Sequence, residues 1–343
     1  MSGQCRQTFC GAVMTRSDEL DWRPGCSLEM LKARADLQQC IRDFFSSLQY
    51  LEVDTPLLSH DTVVDVYLNP FVVAVDGRSM FLQTSPEASM KRLLAAGSGS
   101  IFQITKSFRS AEQGVLHNPE FTMLEWYGVE TTWRDQLSLT EQLIRSTAAS
   151  IVNKHQIPLS KEPFKVTTYQ AAFRRHLSID VLAASMDELR ACGATCLSGS
   201  PLPDQRDNLL NLLLVEKIEP QLGVGTPEFL VDYPISQAAL AESAADDLRV
   251  ARRFELYIDG VELCNGYQEL TDARELRRRE GIQQAQRRQM NSSELPGARQ
   301  LLSAMDSGLP NCSGVALGFD RLLMWLTGSP SLDECLPFSI ARA

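Results

Sequence analysis

The chain has 343 residues, 44% of them hydrophobic, enough for a buried core in one large domain with insertions or in one domain plus an appendage. Its 33 Lys and Arg against 43 Asp and Glu leave a formal net charge of -10, which opposes a nucleic-acid backbone as the main partner, because such proteins present a positive face. Nine cysteines without metal-ligand spacing, four histidines without a zinc pair, no apolar signal core and no apolar run of the roughly 20 residues a bilayer needs point to a reduced, soluble, cytoplasmic protein.

Residues 1–25 mix polarity without periodicity and read as a disordered tail. From Ser27, a suitable N-cap, to about Tyr50 the apolar residues Leu28, Leu31, Ala35, Leu37, Ile41, Phe44, Phe45 and Leu48 recur at helical spacing. LEVDTPLLS follows as β-like chain, and Pro56 confines it to an edge or an interface. Strand-like runs are predicted at 63–68, 71–75 and 80–83, then a helix over about 87–96 with Pro86 in its first turn. IFQITKSFR and EFTMLEWYGV make a hairpin with a long polar loop at 110–119. An amphipathic helix is predicted at 135–155. Residues 160–225, with short helices broken by Pro and Gly, read as an insertion. A short strand is predicted at 229–233, and strands at 253–258 and 261–263 flank Asp259-Gly260, a two-residue hairpin signal. An Arg-rich helix covers about 272–290, and GVALGFDRLLMWLTG passes from a small-residue strand straight into an apolar helix. Predominantly antiparallel strands with helices between them make an α+β domain, an antiparallel sheet flanked by helices.

Three groups of residues in this pattern can carry chemistry. In a two-residue turn at Asp259-Gly260, Glu255 falls opposite Cys264 and Glu262 lies diagonally beside it, so two carboxylates share one sheet face. That suits Mg²⁺, which takes one or two carboxylates plus phosphate oxygens, although solvated surface acids give the same pattern. In FRSAEQGVLHNPEFTMLEWY, Arg109 closes one strand and Phe121 opens the next. A guanidinium fork at a strand end holds phosphate or carboxylate and an exposed ring stacks on a base; a surface Arg and a core Phe are the plain alternative. In GVALGFDR, Gly314 and Gly318 permit close approach of a ligand just before Asp320 and Arg321, in a segment that is neither a Walker loop nor a dinucleotide fingerprint.

Together and in this order, these groups resemble the three motifs of class II aminoacyl-tRNA synthetases. The helix ending at LEVDTP resembles motif 1, the dimer-forming element; FRSAE…HNPEFTMLEWY resembles motif 2 and GVALGFDR motif 3. TSPEASMKRLL, HNPEFTMLE and ELCNGYQELTDARE are similar to lysyl-tRNA synthetases, over about residues 25–343. Those synthetases carry an anticodon-binding domain ahead of motif 1, where this sequence has only residues 1–25. WRPGCS, SQAALA, NPEFTMLEWY and PNCSGVALG resemble the truncated paralogues that attach β-lysine to elongation factor P.

The resemblance implies a class II catalytic domain at 26–343 that uses ATP and Mg²⁺, takes (R)-β-lysine and elongation factor P as substrates, forms a homodimer through the motif 1 helix and does not act on tRNA. It implies that Arg109 binds the α-phosphate and the substrate carboxylate, with Ser110, Ala111 and Glu112 beside it, and that Phe121 and Arg321 sandwich the adenine. Asn118 would hydrogen-bond the nucleotide, and Glu255 and Glu262 would hold Mg²⁺ next to Leu256 backbone groups and Gly318. Glu87, following Ser85 and Pro86, would pair with the substrate's terminal ammonium together with Glu269 and Tyr127; Glu125 would face the other amine, and Asn265 and Tyr267 would shape the pocket. Lysyl-tRNA synthetases have glycine where this chain has Ala316, whose methyl group would crowd an α-amino group and so select β-lysine. Two departures stand out. The adenine-reading Glu of motif 2 usually lies where this chain has Ala111, which leaves neighbouring Glu112 as its substitute. Strict strand alternation puts Asn265, Tyr267 and Glu269 opposite Glu262, and a bulge near Gly266 is the expected remedy. A truncated synthetase that charges tRNA and a non-catalytic regulatory paralogue remain open at this level.

Overall fold

A computed structural model describes residues 22–151, 159–197 and 201–343, so that residues 1–21 of the expected tail and 152–155 of the expected helix lie outside the described residues. Ser27 caps the first helix, its hydroxyl accepting from the Met30 N–H at 3.1 Å, and α1 (Leu28–Ser47) buries Leu37, Ile41 and Phe45. After it come β1 (Leu51–Glu52), β2 (Leu58–Ser59), β3 (Val72–Val75), β4 (Arg78–Leu82) and α2 (Glu87–Ala95), then the hairpin β5 (Ile101–Phe108) and β6 (Glu120–Val129) and α3 (Trp133–Ser150). The middle of the chain forms β7 (Lys165–Thr168), α4 (Tyr169–Leu177), α5 (Met186–Cys196) and α6 (Arg206–Leu213), which runs into a π-helical turn. The last part forms β8 (Glu228–Pro234), β9 (Val250–Ile258), β10 (Val261–Gln268), α7 (Ala273–Gln289), α8 (Arg299–Gly308), β11 (Cys312–Gly318) and α9 (Phe319–Thr327).

Eight strands form one sheet in the order β1-β5-β6-β11-β10-β9-β8-β7, antiparallel except at its two edges, where β1 and β7 run parallel to their neighbours. This is the expected α+β architecture. Strands β2, β4 and β3 make a small second sheet, and Pro56 sits between two edge strands, where a missing N–H costs no ladder bond. Residues 63–68 form no strand; Val64 and Val66 are buried, but the segment is held by Asp65 and Gln283 side chains that accept from its backbone N–H groups. The 160–225 segment supplies the edge strand β7 and packs Tyr169, Phe173, Leu209 and Leu213 onto Leu230, Tyr233 and Tyr257 of β8 and β9, so it is continuous with the domain core.

The sheet has two unlike faces. Its back is apolar: Phe102, Leu124, Trp126, Phe254, Leu256, Val315 and Leu317 pack under α1, α3 and α9. Its front is covered only at the ends, by α4–α6 over β8 and β9 and by α2, α7 and α8 over Ile101, Tyr127 and Cys312. A strip of front face across β6, β11, β10 and β9 lies between these two caps.

The β9–β10 hairpin turns through Asp259 (φ 48°) and Gly260 (φ 77°), both left-handed as a type I′ turn demands. Its register differs from expectation. Glu255 pairs with Asn265 and Leu256 with Cys264, because a bulge lies between Glu262 and Cys264, at Leu263, and not near Gly266. The glycine has a different job: a Cβ at Gly266 would run into the buried Phe254 ring of the back core. Gly266→Ala is therefore expected to overpack that core and lower the unfolding free energy by about 1–3 kcal/mol in denaturant titration.

Candidate active site

Because cross-strand partners share a face, the register converts sequence into rows of side chains across the floor. Gln103, Glu125, Ala316, Asn265 and Glu255 are successive partners on β5, β6, β11, β10 and β9. The next row is Ile101, Tyr127, Gly314, Tyr267 and Arg253. The bulge at Leu263 returns Glu262 to this face, opposite Tyr257.

One end of the floor is a buried acidic pocket. Glu125 is 1% exposed and accepts from the Ser85 hydroxyl at 2.7 Å and the Tyr127 hydroxyl at 2.6 Å. Burial pushes its carboxyl up to about 8; the nearby Glu87 charge adds to this, and the two hydrogen bonds and Lys91 offset it only in part. Glu87 opens α2, and Glu269 follows directly on β10. The Lys91 ammonium lies between them, 2.6 Å from Glu87 and 2.5 Å from Glu269. Burial alone would lower the lysine pKa, but Glu269 and Glu87 more than offset it, so Lys91 stays charged. A Cβ at Gly314 would strike both the Tyr127 ring and the Glu269 carboxylate, so glycine there is what lets these groups converge. Beside Glu125 and Ala316, Asn265 donates to the Tyr267 hydroxyl at 3.1 Å, while its Oδ1 is buried without a hydrogen-bond partner.

The other end carries guanidinium groups and a second set of acids. Arg109, just past β5, lies with its guanidinium carbon 5.0 Å from the centre of the Phe121 ring; one terminal nitrogen is 3.9 Å from Glu112 Oε2, and its Nε is buried without a hydrogen-bond partner. Arg321, on α9, donates to the Glu262 backbone carbonyl at 2.8 Å and lies 3.5 Å from its carboxylate. Its other nitrogen is 2.9 Å from His117 Nε2; burial and then Arg321 lower the His117 pKa, so the neutral ring accepts. Glu255 is held by three donors: Arg253 at 2.5 Å, Tyr233 at 2.5 Å and Tyr257 at 2.6 Å. Glu219 Oε1 is 3.1 Å from the same Tyr257 hydroxyl. Burial, then Glu255 and Glu262, push Glu219 up to about 7, and burial and Glu255 raise Glu262 against the pull of Arg321 and Arg109. This end of the floor is short of positive charge, as a site for a divalent cation and phosphates would be. Among the described residues no three His, Cys, Asp or Glu side chains form a metal site by themselves.

A family model described as tRNA synthetases class II (D, K and N) matches residues 13–342. The chain belongs to this family. It is 41% identical over 335 residues to the elongation factor P--(R)-beta-lysine ligase of Pectobacterium atrosepticum, covering 95% of this chain and 100% of that one. The ligase of the same name from Salmonella paratyphi B is 41% identical over 336 residues, with the same shares covered.

The class II frame accounts for the way the three motifs converge. The segments that resemble motifs 1, 2 and 3 are α1, the β5–β6 hairpin and β11 with α9, and the structure brings Arg109, Phe121, Glu262 and Arg321 to one end of the floor. The other expected nucleotide-site residues are placed as follows. The Arg109 guanidinium covers the Phe121 ring. Asn118 is committed within the chain, donating to the Glu120 carbonyl at 2.6 Å and accepting from the Ile340 N–H at 3.0 Å. The Leu256 side chain points into the back core, and its backbone lies inside the sheet between β8 and β10. Ala111 adopts φ 66°, and Glu112 turns back toward Arg109. Gly318 is the N-cap of α9 on the front face.

Sequence reasoning missed Lys91, Arg253, Tyr233, Tyr257 and Glu219. The first has a sequence signal, since Glu87 and Lys91 stand four apart on a helix. Arg253 and Tyr257 flank Glu255 at strand spacing, i and i±2. Glu219 has none; it sits in an irregular helical turn that only tertiary packing brings to the hairpin. One consequence is measurable. Unfolded Glu125 loses its proton near 4.5 and folded Glu125 near about 8, so between these values the folded state holds the proton more tightly and loses stability as pH rises. Glu125→Gln stays neutral, so its stability relative to the parent is expected to increase steadily from pH 5 to pH 8 in denaturant titrations.

Proposed function

We propose that the chain activates (R)-β-lysine with ATP and transfers it to a lysine ε-amine of elongation factor P. The observation that carries this reading is the row Glu125–Ala316–Asn265, which sets a buried carboxyl and an unpartnered amide oxygen around one alanine, between the acidic pocket and the arginines. An amine fits there: it can donate to Asn265 Oδ1 and to Glu125, and a buried ammonium without such partners would be strongly disfavoured. Glu87 and Glu269 suit the second ammonium of a diamino acid, which α- and β-lysine both have. The names of the relatives support β-lysine and elongation factor P.

In this reading the substrate carboxylate attacks the α-phosphorus of ATP and pyrophosphate leaves, giving β-lysyl-AMP. The acceptor amine then attacks the acyl carbon, AMP leaves with the bonding pair, and the amine proton passes to solvent. Arg109, with a free buried Nε, neutralises charge growing on the phosphoryl and carboxylate oxygens, and Arg321 fixes the nucleotide end from α9. Glu262 and the remaining lone pair on Glu255 Oε1 would hold Mg²⁺, which supplies positive charge for the phosphates. No side-chain nucleophile is required. We place the dimer contact on α1, whose outward face is free of the core that Leu37, Ile41 and Phe45 bury.

The decisive assay is ATP–pyrophosphate exchange with α-lysine, each β-lysine enantiomer or no amino acid, followed by transfer to purified elongation factor P and to tRNA. Exchange with (R)-β-lysine and labelling of the protein but not the tRNA are expected; exchange with none of these amino acids would refute the reading. Arg109→Ala should lower exchange by about 10²–10³-fold, the usual cost of one positioned charge stabiliser. Ala316→Gly should raise exchange with α-lysine relative to β-lysine by about tenfold or more, the scale of one methyl group in a pocket.

A further inference from the structure

The two carboxylates assigned to the substrate's distal ammonium already hold an ammonium of the protein's own. Lys91 is 2% exposed and ion-pairs with both Glu87 and Glu269, from two different elements, inside the amino-acid pocket. Facing the same space are Glu125, capped by Ser85 and Tyr127, and the Tyr127 ring, whose centre lies 6.0 Å from the lysine nitrogen. Two buried carboxyls, Glu125 and Glu269, and the partly buried Glu87 thus lie around one resident cation, which contacts Glu87 and Glu269.

We propose that Lys91 is a specificity-determining positioning residue, which gathers Glu87 and Glu269 around one fixed positive charge and spaces them so that the pocket selects amino acids carrying a distal ammonium. This rests on the amino-acid pocket proposed above. The reason is electrostatic. Two carboxylates buried side by side without a cation take up protons, and a neutral acid pair no longer favours an ammonium over a methyl group. With Lys91 between them, both carboxyls are held in place before substrate arrives, and each keeps an oxygen that the lysine does not contact; burial raises Glu269 up to about 7, and Lys91 pulls against that rise. The incoming ammonium then meets acceptor oxygens already in place, beside a positive charge that opposes their protonation. Lys91 extends from α2, four residues after Glu87, so the same helix that delivers one carboxylate also delivers its counter-charge.

The test compares 3,6-diaminohexanoate (β-lysine) with 3-aminohexanoate, its analogue without the distal amine, in ATP–pyrophosphate exchange by the parent chain and by Lys91→Met. The parent should prefer the diamine strongly. In Lys91→Met the ratio of kcat/KM values should fall at least tenfold through a raised KM for β-lysine, with KM for ATP within twofold of the parent. If Lys91→Met does not fold, Lys91→Gln takes its place, since it can hydrogen-bond both carboxyls without carrying charge, and the same fall is expected. An unchanged ratio in a folded variant overturns the proposal, and so does an equal rise in KM for ATP and amino acid, which marks a general loss of structure. A parent chain that shows no exchange with β-lysine refutes the functional reading instead, so the two failures are distinct.

Discussion

The single extra residue at Leu263 decides what the floor of the site contains. Without it, the period of two along β10 would send Asn265, Tyr267 and Glu269 to one face and Glu262 to the other. With it, all four join Arg253 and Glu255 on the front, while Leu263 and Cys264 go into the back core. The acids proposed for a diamino substrate and those proposed for a phosphate site then lie on one continuous surface. The bulge is local, but it lies in a central strand with partners on both sides, so the register it sets is held by β9 and β11 together.

That surface buries far more carboxylate than an ordinary sheet could carry, and the structure manages it unevenly. Glu255 receives Arg253 and two tyrosine hydroxyls. Glu87 and Glu269 share Lys91. Glu125 has only neutral donors, and Glu219 and Glu262 repel one another and Glu255. The less satisfied acids stand where the proposed ligands bring positive charge, an ammonium at one end and a metal at the other. A site organised before its ligands arrive keeps such charges fixed, at some cost to the stability of the empty protein.

The apolar back of the sheet is also the frame for the end that carries Arg109, Phe121 and Arg321. Arg34 of α1 bonds Asp320 and the Thr122 hydroxyl, each at 2.6 Å, and Asp320 accepts from the Thr122 N–H at 2.7 Å. Thr122 and Asp320 are the chain neighbours of Phe121 and Arg321, which project on the front. One partly buried ion pair behind the sheet thus ties β6 and α9 to each other and to α1.

The amino-acid sequence by itself determined the α+β class, most element positions, the Asp259-Gly260 turn and the identity of the residues gathered in the three motifs. These are legible because they rest on local rules: periodicity, caps, the positive φ of a hairpin turn and motif spacing. Tertiary structure alone decided the position of the bulge, the partner of Glu255, the covering of Phe121 by Arg109 and the capture of Lys91 by two glutamates. It also decided that residues 63–68 form no strand and that residues 160–225 join the main sheet. None of these follows from spacing along the chain, because each depends on which distant backbone a strand pairs with and which buried charge lacks a partner. Those energies exist only once the elements have packed.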